Sequence, residues 1–136
     1  MIFVDTSYIW ALIDKRDQLH SRAAAWQTVV TEGLVTTEYV LWEMLNGFSA
    51  SADRQIAHAA LDDIRTSSNG WKIVEASLEL FDLGINLHRA HGDKDWSLTD
   101  CISFIVMRER GIQQALTHDH HFEQAGFDAL LRRDPP

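Results

Sequence analysis

Short apolar-rich runs recur along the chain at Ile2-Phe3-Val4, Leu34-Val35-Thr36, Trp71-Lys72-Ile73-Val74 and Gln114-Ala115-Leu116-Thr117. Runs of this length, bounded by turn and cap residues, predict strands buried on both faces of a sheet. A weak edge strand is expected near Ala129, Leu130 and Leu131. Longer segments with helical spacing lie between them. Asp5-Thr6-Ser7 offers caps for a helix through Tyr8, Ile9 and Leu12. A second helix starts at Ser21 and is closed by Gly33. A third runs from about Thr37, with Val40, Leu41, Met44, Leu45 and Phe48 on one face. After a polar break over residues 49–53, Asp53 caps a helix whose apolar positions include Ile56, Ala60, Leu61 and Ile64. Ser67-Ser68-Asn69-Gly70 reads as a turn. Ser77 begins a helix through Leu80, Phe81, Gly84, Leu87 and His88, ending near Gly92. A short turn or helix is expected over residues 122–125.

The stretch over residues 97–122 carries the strongest signals. Ser97-x-x-Asp100 is a helix N-terminus signature, with a capping serine and an acid on the first turn. Cys101, Ile102, Phe104, Ile105, Val106 and Met107 cover nearly the whole helix surface, which predicts a buried helix. Gly111 stops it, and a short strand then leads to Asp119. Alternating strands and helices predict an α/β fold with a parallel sheet and helices on both faces. Ligands in such folds sit beyond the carboxyl ends of the strands, at the switch in strand order. A helix that leads into a strand starts at that same edge, so Asp100 and Asp119 belong together.

Composition narrows the reading. The 136 residues are 46% hydrophobic and 24% charged, which fits one soluble domain over residues 1–136, with 134–136 as a tail. The single cysteine excludes a disulfide framework, and Cys101 reads as a core residue in a reducing, cytoplasmic compartment. The apolar start lacks a basic n-region and is interrupted by Asp5, so neither a signal peptide nor a membrane span is expected. The net charge of −8 (12 basic, 20 acidic residues) argues against a nonspecific nucleic-acid coat. It leaves room for a nuclease whose carboxylates are neutralised by metal.

Four acids are expected at the carboxyl edge. Asp5 ends the first strand, and Asp119 ends the fourth. Asp100 begins the helix entering the fourth. Glu43 lies two turns into the helix leaving the second strand, off its apolar face. Singly, each has an ordinary explanation as a cap or a solvated side chain. Together, without matching lysines, they would repel each other and raise their pKa values. Hard cations with oxygen ligands, Mg²⁺ or Mn²⁺, compensate such a set. A site of that kind lowers the pKa of water and steadies the oxygens of a phosphodiester displacement.

The order V-D-T-S at the start, T-x-x-x-L-W-E at Glu43, S-L-T-D at Asp100 and L-T-H-D-x-x-F at Asp119 resembles the PIN-domain family, and within it the small VapC-type ribonuclease toxins. The resemblance spans essentially the whole chain. It implies a three-layer α/β/α sandwich around a mostly parallel sheet, and Mg²⁺- or Mn²⁺-dependent cleavage of RNA. It also implies frequent homodimerisation and often a cognate antitoxin. Carried over by position, Asp5, Glu43, Asp100 and Asp119 are the expected catalytic, metal-binding acids. Thr6, Ser7 and Thr99 would be polar supports. Trp96 is the tryptophan expected to stack a base or to lid the edge, and Lys94, Arg108, Arg110 and Lys72 are candidate phosphate contacts.

Competing motifs are weaker. His88, His91, His118, His120 and His121 suggest zinc, but no second ligand pair is fixed in register. His118-Asp119 follows a strand, unlike the all-helical HD phosphohydrolases. A receiver domain would need an acidic pair after its first strand, where Thr6-Ser7 stand. An inactive PIN fold serving protein interaction is the remaining alternative. No Gly-rich phosphate loop is present.

Overall fold

A computed structural model describes residues 1–66 and 70–136. Ser67, Ser68 and Asn69 of the expected turn lie outside the described residues. In chain order the elements are β1 (Ile2–Val4), α1 (Thr6–Ile13), α2 (His20–Val29), β2 (Leu34–Thr37), α3 (Glu38–Gly47), α4 (Arg54–Thr66) and β3 (Trp71–Val74). Then come α5 (Leu78–Ala90), α6 (Leu98–Glu109), β4 (Gln114–Leu116), α7 (His120–Gln124), β5 (Asp128–Ala129) and a 3-10 turn over Leu130–Arg132.

The five strands pair in the order β3-β2-β1-β4-β5, and every pairing is parallel. The chain steps outward from β1 to β3, then returns past β1 to β4. Right-handed crossovers place α1 to α4 on one face and α5 and α6 on the other. The packing agrees, since α1 meets α2, α3 and α4 while α5 lies along α6. The return creates the switch in strand order between β1 and β4, with Phe3 opposite Ala115 and Val4 opposite Leu116. Asp5 and Thr117, the next residue on each strand, therefore leave the sheet side by side.

The α6 helix is buried as its sequence requires: Asp100, Cys101, Ile102, Ser103, Phe104, Val106 and Met107 are all enclosed. Its capping box is complete, with Ser97 Oγ accepting the Asp100 N–H at 3.0 Å and Asp100 Oδ2 accepting the Ser97 N–H at 3.1 Å. Gly111, at φ +65°, ends it in the left-handed region that glycine occupies without penalty. Phe104 anchors the middle of the helix. Its ring meets Trp96 and Phe122 edge-on, each 5.0 Å between centroids, and Phe127 at 5.7 Å. Such aromatic pairs add about 0.5–1.5 kcal/mol each beyond their burial. They lock the starts of α6 and α7 to one another, and those starts carry Asp100 and Asp119.

Against α6, α5 packs closely at Gly84. A Cβ there would lie 2.5 Å from Ile102 Cγ1 and 3.4 Å from Leu98 Cδ1. Ile102 is β-branched and fully enclosed, so its Cγ1 has little room to yield. Gly84→Val is expected to cost at least about 2 kcal/mol, seen as a lower urea midpoint, by the overpacking mechanism. An unchanged midpoint would show that the two helices are not held this closely.

Some boundaries differ from the sequence expectation. The α2 helix ends at Val29 rather than at Gly33, because Val29, Val30 and Thr31 form a β-branched run that disfavours helix. In α4 the enclosed residues are Ala57 and Ile64, while Ile56 faces solvent; Ala57, Ala60, Leu61 and Ile64 form the helical stripe. The edge strand is Asp128–Ala129, with Leu130 and Leu131 already in the 3-10 turn.

Candidate active site

Asp5 follows β1 and stands at the N-cap position of α1, yet its side chain caps nothing. Its carboxylate instead meets the end of β4. Thr117 Oγ1 donates to Asp5 Oδ2 at 2.7 Å, and Ser7 Oγ donates to the same oxygen at 3.3 Å. Thr117 can do this because the chain leaves the ladder at Leu116 and turns, with the Thr117 N–H bonded to the Ala115 carbonyl. The same threonine oxygen accepts the Asp119 N–H at 3.0 Å. One hydroxyl thus ties Asp5 to the loop that carries Asp119.

Asp119 sits three residues past β4 as the N-cap of α7, its Oδ1 accepting the His121 N–H at 2.9 Å. The His121 ring joins it to Asp100: Nδ1 lies 3.0 Å from Asp100 Oδ2 and 3.2 Å from Asp119 Oδ1. Glu43 faces a hollow of about 230 Å³ on α3, lined by Tyr39, Trp42, Glu43, Asn46 and Thr99. Thr99 is in the first turn of α6, next to Asp100, so the hollow borders the acids.

The acids are coupled in series, Asp5 with Asp100 and Glu43, and Asp100 with Asp119. Burial, first, pushes the Asp5 carboxyl up to about 7, and the charges of Asp100 and Glu43 push the same way against the Thr117 hydrogen bond and the Thr6 N–H. Burial also raises Asp100, helped by Asp119 and opposed by the Ser97 N–H and His121. Asp5 and Asp100 are only 5% and 7% exposed. Two enclosed carboxylates without a lysine or arginine beside them are costly unless something positive joins them. A further polar atom is unpaired nearby in sequence: Thr6 Oγ1, directly after Asp5, is buried with no hydrogen-bond partner. Rich in oxygen and without a lysine or arginine paired to it among the described residues, the set suits a hard divalent cation. Asp5, Glu43, Asp100 and Asp119 are the acids that would approach it; among the described residues, the ligand atoms already within 4.8 Å of one another are those of Asp119, His120 and His121.

Other expectations need correction. Trp96 does not offer a ring to a base. It is 6% exposed, stacked on His91 at 4.8 Å, edge-on to Phe104, and its indole N–H is donated to Gln124 at 2.9 Å. Arg108 lies in the last turn of α6, over Phe127. At about 1.5 Å per residue it is roughly 12 Å along the helix from Asp100. Arg110 is farther still, and Lys72 is at the amino-terminal half of β3. These three cations belong to the opposite side of the sheet. Lys94 precedes α6 on the acidic side, paired loosely with Asp93 at 3.7 Å.

The sequence reading passed over four residues that the structure brings to this edge. Thr117 was read only as the end of a strand. His121 was set aside with the zinc candidates. Trp42 stands beside Glu43 with 69% of its surface exposed. Arg132 donates to the His118 carbonyl at 3.1 Å, one residue from Asp119. The mixed face of α3 around Glu43 was the available signal for Trp42; the others depend on contacts distant in sequence.

Comparison with known proteins places this architecture. A family model described as the PIN domain matches residues 2–128. The 23S rRNA-specific endonuclease VapC20 of Mycobacterium tuberculosis is 32% identical over 127 residues, covering 93% of this chain and 95% of that protein. The crystal structure of Mycobacterium tuberculosis VapC20, described as a sarcin-ricin loop cleaving toxin, superposes with a TM-score of 0.86 at 31% identity, over 93% of this chain and 96% of that one. FitAcB of Neisseria gonorrhoeae shares the fold at a TM-score of 0.62 and 16% identity, over 95% of each chain. Sequence, topology and the edge where the acids gather all agree: this chain belongs to the PIN domain family.

Proposed function

We propose that this PIN domain is a ribonuclease, the toxin of a toxin–antitoxin pair, cutting a phosphodiester bond of RNA with the help of Mg²⁺ or Mn²⁺. The observation that carries the reading is the enclosed Asp5 carboxyl at the switch between β1 and β4, pushed up to about 7 by burial and by the charges of Asp100 and Glu43. The likeness to an rRNA-specific endonuclease over nearly the whole chain supports RNA as the substrate class. A homodimer, a cognate antitoxin and a cytoplasmic setting complete the proposal. The buried free thiol of Cys101 suits a reducing compartment, and no described helix is long and apolar enough to cross a membrane.

When bound, the cation would neutralise the acids, polarise the scissile phosphate and make water a competent nucleophile. The protein's own residues prepare for it. Thr117 and Ser7 fix the orientation of Asp5, while the capping box and His121 fix Asp100. Burial keeps the inner acids away from competing water, which strengthens every charge interaction there. Among the described residues, Lys94 and Arg132 are cations toward the acidic edge, paired with Asp93 at 3.7 Å and with Glu123 at 2.7 Å. With a net charge of −8, such local cations, or those of a second subunit, must offset repulsion of the RNA backbone.

Exposed beside Glu43, Trp42 takes the stacking role once expected of Trp96, with Asn46 and Thr99 offering polar atoms in the same hollow. Base–aromatic stacking contributes about 1–3 kcal/mol per base. Trp42→Ala is therefore expected to raise KM for a cleaved RNA roughly tenfold with kcat nearly unchanged, and Trp42→Phe to recover most of the loss. An unaltered KM would remove Trp42 from the substrate surface.

The decisive experiment incubates purified protein with RNA hairpins bearing single-stranded loops, in excess chelator and with Mg²⁺ or Mn²⁺ restored. Cleavage only in the restored samples is expected. Cleavage undiminished in chelator would reject the metal-dependent mechanism. No cleavage of any RNA, with intact metal uptake, would point to the inactive interaction module instead.

A further inference from the structure

Past Leu116 the chain leaves the sheet, and two peptide units carry it from Thr117 to Asp119. No ladder supplies their hydrogen bonds, so each polar group needs a partner of its own. The two N–H groups find theirs among the residues around Asp5. His118 N–H donates to Ser7 Oγ at 3.2 Å, and Asp119 N–H to Thr117 Oγ1 at 3.0 Å. Across a trans peptide the carbonyl points the opposite way, and both carbonyls are met by the 3-10 turn over Leu130–Arg132. The Thr117 carbonyl accepts the Leu131 N–H at 3.0 Å, and the His118 carbonyl accepts Arg132 Nη1 at 3.1 Å. The loop is gripped from both sides.

The turn is built to act as a brace. Leu130 and Leu131 are buried. Arg22 donates to the Leu131 carbonyl at 3.1 Å, and the Trp26 indole N–H to the Arg133 carbonyl at 2.9 Å. Both donors belong to α2, which anchors the turn to the body of the fold. From that anchor Arg132 reaches two places at once, because its Nε also lies 2.7 Å from Glu123 Oε1 on α7. With the two side chains 39% and 51% exposed, this ion pair stabilises little by itself. Its effect is geometric: it aims the guanidinium and ties it to the helix that Asp119 caps. A helix of five residues is too short to hold its course unaided, so α7 depends on such ties.

We propose that Arg132 is a positioning residue of the active site, bracing the 117–119 loop and α7 so that Thr117 stays on Asp5 and Asp119 keeps its place. The inference rests on the acids being the ribonuclease site, as proposed above. Arg132 acts through the backbone that carries Thr117 and Asp119. A charge that only drew the RNA backbone would show the opposite kinetic pattern.

Amide hydrogen exchange of the cation-free full chain tests the brace without reference to cleavage. In the wild type, the His118 and Asp119 amides should exchange about a hundredfold more slowly than in an unstructured peptide. Arg132→Ala should speed both at least about tenfold and leave amides of β1 and α6 at their wild-type rates, which separates local release from general instability. In single-turnover cleavage of an RNA hairpin with Mn²⁺, Arg132→Ala should lower the maximal rate about ten- to a hundredfold, with the half-saturating RNA concentration within about twofold of wild type. Arg132→Lys, still able to donate to the His118 carbonyl, should recover most of that rate. Unchanged exchange at His118 and Asp119 in Arg132→Ala would overturn the proposal. So would faster exchange with an unchanged cleavage rate, which would leave Arg132 a purely structural contact. A raised half-saturating RNA concentration at an unchanged maximal rate, growing with salt, would overturn it in favour of phosphate contact. A wild type that neither cleaves RNA nor takes up Mn²⁺, with exchange responding as expected, would overturn the proposed function and with it the role of Arg132 there, while the brace itself stood. Rapid exchange of the two amides in the wild type would overturn the proposal with no variant needed.

Discussion

Asp5→Asn is expected to lower single-turnover cleavage of an RNA hairpin by about 10³-fold in saturating Mn²⁺ while the protein stays folded. Asp5 is the innermost acid of the site, enclosed at the end of β1 and within the electrostatic reach of both Asp100 and Glu43. Asparagine keeps the shape and can still accept the Thr117 hydroxyl, but it brings no charge. Removing one element of a buried, preorganised electrostatic site costs about 10²–10³-fold in other enzymes, and a missing cation ligand belongs at the upper end. Arg108→Ala and Lys72→Ala are the contrast, since both residues lie on the far side of the sheet; each should stay within twofold of wild type. If Asp5→Asn kept a tenth or more of the wild-type rate, Asp5 would have no place in the chemistry.

The same substitution should stabilise the cation-free protein at alkaline pH. The Asp5 carboxyl titrates near 7 in the fold, against an ordinary value of 3.8. Between those two values the folded chain binds more protons than the unfolded chain. Stability must therefore fall as pH rises through that window, and remain low above it. At about 1.4 kcal/mol per tenfold change in proton affinity, the loss above pH 7 is on the order of 4 kcal/mol. Asparagine cannot ionise and escapes the loss, although its buried amide returns part of the gain. In chelator at pH 8, Asp5→Asn should melt roughly 5–10 °C above wild type, and the two should converge near pH 4. Added Mn²⁺ should raise the wild-type midpoint much more than that of the variant. Parallel melting curves from pH 4 to pH 8 would mean that Asp5 is not held as an enclosed, uncompensated charge.

Much of this architecture is carried by short-range signals. Ile2-Phe3-Val4 needs no distant partner to read as a buried strand, and Ser97 with Asp100 specifies where α6 starts. Because a parallel sheet fixes which ends of its strands share an edge, those local readings were enough to bring Asp5, Asp100 and Asp119 together. Glu43 followed from its angle on the helical wheel. What stayed hidden depended on residues far apart in the chain. Trp96 lies in a loop whose periodicity says nothing, and only the rings of His91 and Phe104 decide that it is enclosed. Thr117 matters because β4 lies beside β1, which places its hydroxyl against a residue 112 positions away. Arg108 has a suitable charge at the wrong end of α6, a distinction visible once the helix is laid out in space.

Asp100 completes the capping box of α6 as well as belonging to the proposed cation site, so a substitution there cannot leave the helix untouched. It would release the Ser97 N–H and unsettle the first turn of a helix on which Phe104 and its aromatic neighbours depend. Asp5 makes no side-chain cap to its helix, and an asparagine there can still accept the Thr117 hydroxyl that now bonds to Asp5 Oδ2. A variant that loses the proposed cleavage while keeping the folded surface intact is therefore best made at residue 5 and not at residue 100.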